Sequence, residues 1–464
     1  MNLTMRKLLF LLLFPILSFG QQRIVPGRVE PKIPIAEGSS ENYALFLPQG
    51  FSKDSIYTTV FIFDPDGRGE DAVRAFAPAA RLTNTILIAP NTKIADSLPT
   101  ALNNSELFMN TLIRKWPIDE QRLIVAGKDI GGLLATTSGH LSGSLLGVIA
   151  VDNAFINIQY TRKNKKTKYK LLLSDESERY YTMQQLNFEL RFEDAYLGLT
   201  LYDPTESSWP DAGYLTEAVT AILLTTQTNS AIIDTYYDED IAWGTMLYNR
   251  SRFLTAYEFV NDLKKKYKGK VEDEEPQKEL LKSIRNNGGY RAMRSKRLAL
   301  REREALLLDD FVYYLAEDVR NSFFDNLGWW NSQMTELDAK IDSTAINPLE
   351  KKMAKRLQGY VRNSTESRWN AIKNDKKSSF EQKLFVNVLR TLIDPKNYDA
   401  YLQAISYSTR EGDTNAALFY LEELLQNGFT DMDALYTING TSAIRISKEY
   451  NAVVKQYLGS SKYY

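Results

Sequence analysis

The chain contains no cysteine. Disulfides, thiolate metal sites, a thiol nucleophile and a lipidated N-terminal cysteine are therefore excluded. There is one histidine, His140, so a site built from several imidazoles is excluded, and any Ser-His-Asp mechanism must use His140 or nothing. Neither sign of charge is in surplus. Lys and Arg number 57 against 58 Asp and Glu, and no bulk field favours nucleic acid or an anionic membrane. Beyond Gly20 no apolar run approaches the roughly 20 residues that a spanning helix needs.

The first residues read as an address. Arg6 and Lys7 precede an apolar run from Leu8 to Leu17, then Ser18-Phe19-Gly20 and a polar Gln21-Gln22. A basic start, a short apolar core and small residues before a polar stretch describe a secretory signal peptide cleaved after Gly20. The mature protein is then expected in the periplasm or outside the cell, with no membrane span. Gln21–Glu41 carries Pro26, Pro31 and Pro34 and reads as an extended lead-in.

With 464 residues, two units are expected. Short apolar runs at Tyr43–Leu47, Thr58–Phe63, Thr85–Ala89, Arg122–Ala126, Leu146–Val151, Tyr169–Leu173 and Leu197–Tyr202 alternate with helical patterns at Asp71–Leu82, Ser105–Trp116, Gly132–Leu141, Tyr180–Leu190 and Ala212–Thr225. Continuous apolar strands between amphipathic helices predict a mostly parallel sheet covered on both faces. Lys163–Lys170 reads as a solvated loop, and Asn103 as a helix cap within a glycosylation-type Asn103-Asn104-Ser105 pattern. The character changes near Asp238-Glu239-Asp240, and from Ala242 onward the pattern is helical, with Met246–Tyr267 as one helix and Lys264-Lys265-Lys266 as a solvated end. Tyr313, Tyr314, Phe323, Phe324, Trp329 and Trp330 are read as core.

The informative motif is Gly127-Lys128-Asp129-Ile130-Gly131-Gly132, between the strand Arg122–Ala126 and a helix. This is the strand–turn–helix setting in which Gly-x-Ser-x-Gly presents a nucleophile above a sheet. Together with Asp64-Pro65-Asp66-Gly67-Arg68-Gly69 after the second core strand, Trp116-Pro117-Ile118-Asp119 before Arg122, and Glu206-Ser207-Ser208-Trp209-Pro210 late in the unit, it resembles the secreted bacterial α/β-hydrolases of the esterase/lipase-like kind. The resemblance covers Tyr43 to Thr225. It implies an oxyanion hole formed by N–H groups near Ile130 and in the Asp64–Gly69 loop, and a histidine just before Trp209-Pro210.

Two essential positions depart from that pattern. Asp129 stands where the serine belongs, and Ser207 or Ser208 where the histidine belongs. Glu178 is the nearest candidate for the acid. His140 lies eleven residues along a helix from Asp129, a rise of about 16 Å. Asp64, Asp66, Asp129 and Glu206 could form an oxygen-rich cluster, but not at the spacing of a metal loop; neither a metal nor a cofactor is expected.

Asp399–Gly428, with Ala404, Tyr407, Gly412-Asp413, Ala416, Tyr420 and Leu424, resembles one tetratricopeptide unit. The resulting expectation is a signal peptide (1–20), the lead-in (21–41), an α/β-hydrolase-like domain (42–238) and a helical domain of tetratricopeptide-like character (242–464). The whole is read as a non-catalytic envelope protein, with relic positions Asp129, Ser207 and Glu178, that meets another envelope protein through its helices. The alternative is a divergent secreted esterase with Asp129 as nucleophile.

Overall fold

The computed structural model describes residues 24–204 and 207–464; the expected signal peptide and Glu206 lie outside the described residues. Eight strands form one sheet: β1 (Val29–Pro34), β2 (Asn42–Phe46), β3 (Tyr57–Phe63), β4 (Ile86–Pro90), β5 (Ile118–Lys128), β6 (Gly147–Val151), β7 (Lys168–Ser174) and β8 (Tyr196–Tyr202), in the order β1-β2-β4-β3-β5-β6-β7-β8. Strand β2 is antiparallel to both neighbours, and β3 to β8 all run parallel. Within the extended lead-in, β1 forms as a strand that carries two of the three prolines. It occupies the sheet edge, where proline's missing N–H costs no ladder bond.

The central stretches of the core strands are apolar because both faces are covered. Helices α1 (Gly69–Thr83), α2 (Leu98–Ile113), α3 (Ile130–Leu141), α4 (Ile158–Lys163), α5 (Tyr180–Leu190) and α6 (Ala212–Leu223) divide between the two sides. Phe76 of α1 and Tyr214 of α6 join one apolar cluster, while Phe108 of α2, Leu134 of α3 and Met183 of α5 join the other. Asn103 sits inside α2, whose N-cap is Ser97, so it caps nothing.

From Ser230 onward the chain is entirely helical: α7 (Ser230–Asn249), α8 (Phe253–Tyr267), α9 (Glu275–Asn286), α10 (Gly288–Asn321), α11 (Leu327–Asp342), α12 (Pro348–Ile372), α13 (Phe380–Ile393), α14 (Tyr398–Arg410), α15 (Thr414–Gln426), α16 (Met432–Thr437) and α17 (Lys448–Leu458). The expected single helix Met246–Tyr267 is broken at Ser251, whose φ is 59°. The change of character near Asp238 falls inside α7, and the apolar cluster beneath α6 continues through Trp243, Phe259 and Tyr290. Separate cores begin only at Phe311 and at Tyr401. Trp330 is core as expected, whereas Tyr313 and Phe323 are exposed. In the α14–α15 hairpin Asp413 caps α15 by accepting from Ala416 N–H at 2.9 Å, and Ala404 and Ala417 are fully buried. No helix among the described residues is long and apolar enough to cross a membrane.

Two lysines read as solvated are interior. Lys266 of α8 contacts Asp240 of α7 at 2.7 Å and Glu217 of α6 at 3.5 Å, and Lys170 of β7 contacts Glu217 at 3.0 Å. The Tyr267 hydroxyl donates to Asp240 at 2.6 Å. This network ties the sheet to the first helices of the second unit. Removing one member leaves buried charge unpaired. Lys266→Ala is therefore expected to lower the unfolding free energy by about 3–5 kcal/mol, read by urea denaturation; a loss below about 1 kcal/mol would mean that water replaces the lysine.

Candidate functional site

The elbow after β5 is built as its glycines require. Asp129 has φ 50° and ψ −117°, a sparsely populated conformation that persists only where the surroundings impose it. They do so by close approach. A Cβ on Gly127 would stand 2.0 Å from Gly131 O, one on Gly131 2.1 Å from Phe63 O, and one on Gly132 2.3 Å from Asn153 O. The Asp129 N–H donates to Val151 O at 2.9 Å. The turn thus presents Asp129 at the carboxyl edge of the sheet, where open α/β sheets place their ligands.

Around Asp129 the loops after β3 and β8 meet. Asp64, fully buried after β3, accepts from the backbone N–H of Asp66 at 3.0 Å and of Arg68 at 3.2 Å through one oxygen, and from Trp209 Nε1 at 2.9 Å through the other. The Gly67 N–H donates to the Asp64 carbonyl at 3.2 Å. Three N–H groups of the loop expected to contribute to an oxyanion hole are thus engaged by Asp64. It also gives the Trp209-Pro210 pair a structural reason: Trp209 ties the two loops together. Ser207 accepts from the Trp209 N–H at 3.3 Å. Next to it, the Ser208 carbonyl accepts from the Lys128 ammonium, so a lysine spans the space between the elbow and the expected histidine position.

Asp129 is open to solvent on one side, but its enclosure on the others raises its carboxyl above the usual range; Lys128 and Arg179 oppose the rise, and Asp64 and Asp66 add to it. Asp152, directly after β6, is also raised, chiefly by burial, although it accepts from the Ser174 N–H at 2.7 Å and the Tyr202 hydroxyl at 2.5 Å. The Lys128 ammonium lies 4.0 Å from Asp152. No imidazole joins this group. His140 is at the other end of α3, stacked on Tyr160 with ring centroids 5.4 Å apart, and burial lowers its pKa.

Glu178 does not stand in the acid position. Its carboxylate pairs with Arg362 of α12, and Gly359 packs against its Cα. The acids at the strand ends are Asp175 after β7 and Asp203 after β8, both missed in the sequence. Each is the first acidic residue past an apolar run, and that rule would have found them. Lys352 of α12 holds both, at 2.6 Å from Asp175 and 2.7 Å from Asp203. Arg356 donates to the Asp175 carbonyl at 2.7 Å and grips Glu304 of α10 with two bonds of 2.7 Å each. No group of three or more metal-ligating side chains occurs among the described residues.

No known family profile matches the chain, and no curated protein matches it in sequence. Among solved structures it is similar to a thermostable esterase (15% identity, 45% of this chain and 61% of that one, TM-score 0.32). It is also similar to a feruloyl esterase module from Clostridium thermocellum (10% identity, 42% and 86%, TM-score 0.32). A third is an S-formylglutathione hydrolase from Staphylococcus aureus (13% identity, 39% and 92%, TM-score 0.31). The chain thus spans under two thirds of the first of these. At such scores the fold rests on the strand order and the elbow, which are those of an α/β-hydrolase sheet.

Burial raises the Asp175 carboxyl to about 6, against the partial relief of Lys352. The folded chain then keeps a proton that the unfolded chain releases from about pH 4 upward, so this residue makes stability fall as pH rises from about 4 to 6. Asp175→Asn is expected to remove that contribution. Urea unfolding at a series of pH values should show a shallower decline than in the native protein; an unchanged slope would contradict the assignment.

Proposed function

We propose that this chain is a non-catalytic protein of the cell envelope, in which a hydrolase-type sheet serves as a scaffold and the helical region meets another protein. The observation that carries the first part is Lys352: the carboxylates after β7 and β8, where a hydrolase needs its acid and its histidine loop, are held by a lysine of the helical region. A serine nucleophile needs a base to take and return its proton, and the ester formed by a carboxylate nucleophile needs a base to activate the water that hydrolyses it. The single imidazole lies at the other end of α3 from Asp129.

The partner-binding part rests on shape. The α14–α15 hairpin is similar to a tetratricopeptide unit, and stacked helix pairs create surfaces that bind other proteins. The outward side of α10 exposes Leu298, Leu306 and Tyr313. Export rests on the signal-like Met1–Gly20.

The test is hydrolysis of short acyl esters of p-nitrophenol by the purified protein. The expected rate is that of the buffer alone, for the native chain, for Asp129→Asn and for Asp129→Ser. Triad members act as a unit, so Asp129→Ser with Ser207→His is also expected to stay inactive, because Asp175 remains engaged by Lys352. Native turnover at ordinary enzymatic rates, lost in Asp129→Asn, would establish the aspartate-nucleophile alternative instead.

A further inference from the structure

A cavity of about 520 Å³ lies between the carboxyl ends of β7 and β8 and helices α8, α10 and α12. Its size falls in the range of roughly 300–1,000 Å³ usual for small-molecule sites. Asp129 is not among its lining residues. It is therefore distinct from the elbow, and most of its wall comes from helices outside the sheet unit.

The charges in its wall are almost all paired with one another. Lys352 holds Asp175 and Asp203, Arg356 holds Glu304, Arg297 meets Glu258 at 2.6 Å, and Arg252 meets Asp211 at 3.3 Å. Arg301 is the exception: it lines the cavity, is exposed, and forms no ion pair among the described residues. Near it the Tyr180 phenol lines the same space, and burial keeps it protonated and able to donate. An apolar side of the wall is formed by Leu254, Met293, Leu300 and Leu308.

We propose that this cavity binds an amphiphilic monocarboxylate, its anion held by Arg301 and the Tyr180 hydroxyl and its apolar body laid against Leu254, Met293, Leu300 and Leu308. A single unpaired cation matches a single negative charge. A dianion such as phosphate would meet the neighbouring Glu258 and Glu304 carboxylates, and a neutral amphiphile would leave Arg301 unanswered. A charge-assisted bond from a guanidinium to a carboxylate is stronger than a neutral one.

The experiment is titration calorimetry of the full soluble chain with octanoate, octanol, octylammonium and inorganic phosphate, each below its aggregation limit. Octanoate is expected to bind, with the other three at least tenfold weaker. Arg301→Gln, on an exposed side chain, should keep the native circular dichroism and melting temperature while weakening octanoate at least tenfold. Met293→Trp, which fills the apolar end, should abolish the binding. Octanol binding as tightly as octanoate, native affinity in Arg301→Gln, or no octanoate binding at all would each overturn the proposal. None of these outcomes depends on whether the chain hydrolyses esters.

Discussion

The ammonium of Lys352 lies between two carboxylates at the ends of adjacent parallel strands, and the arrangement of the molecule depends on it. Asp203 stays below the usual carboxylate range despite burial, because Lys352 and the Thr255 hydroxyl both favour its charge. Asp175, more deeply enclosed and beside Asp203, is the weaker arm. The same face of α12 carries Lys355, Arg356 and Arg362, which meet Glu176, Glu304 and Glu178 in turn. Spacings of three to four residues and multiples of a turn put these cations in one row. The row lies against the acidic segment Asp175–Glu178 that follows β7. An α/β sheet ordinarily leaves this edge free for substrate. Here it serves as the seat of a helical region.

That use of the edge has consequences across the site. Lys352 engages the acids after β7 and β8, and the Lys128 ammonium reaches the Ser208 carbonyl between the elbow and the loop at Ser207. The Asp64 carboxylate holds the Asp66 and Arg68 N–H groups of its own loop and, through Trp209, the loop after β8. The elbow itself persists because its glycines are demanded by backbone approaches of about 2 Å, which do not depend on the identity of the central side chain.

The sheet was legible because strands covered on both faces carry continuous apolar runs, and seven of the eight strands contain one. Strand β1 was not, since its prolines are tolerated only by virtue of an edge position that no local pattern reveals. The elbow was legible from glycine spacing and context. The acids after β7 and β8 are within reach of a simple rule about strand ends, whereas Glu178 lies nearer the start of α5 than the end of β7. Lys352, Lys266 and Lys170 were beyond reach: their partners lie 149 residues away for Lys352 and Asp203, and 26 for Lys266 and Asp240. A lysine in sequence reads as solvent-facing until the fold brings a carboxylate to it. The same blindness placed a boundary inside α7, where charged Asp238-Glu239-Asp240 looked like a linker while Asp240 is buried in an ion network.

The most direct test of the clamp is a double-mutant cycle on Asp203→Asn and Lys352→Met, with unfolding free energies from urea denaturation. If the two side chains hold the helical region to the sheet edge, each single change is costly and the double change costs clearly less than their sum, with a coupling of about 1–3 kcal/mol. Additive losses, within about 0.5 kcal/mol, would show that Lys352 and Asp203 do not act together, and would return the strand-end carboxylates to the pool of groups free for chemistry.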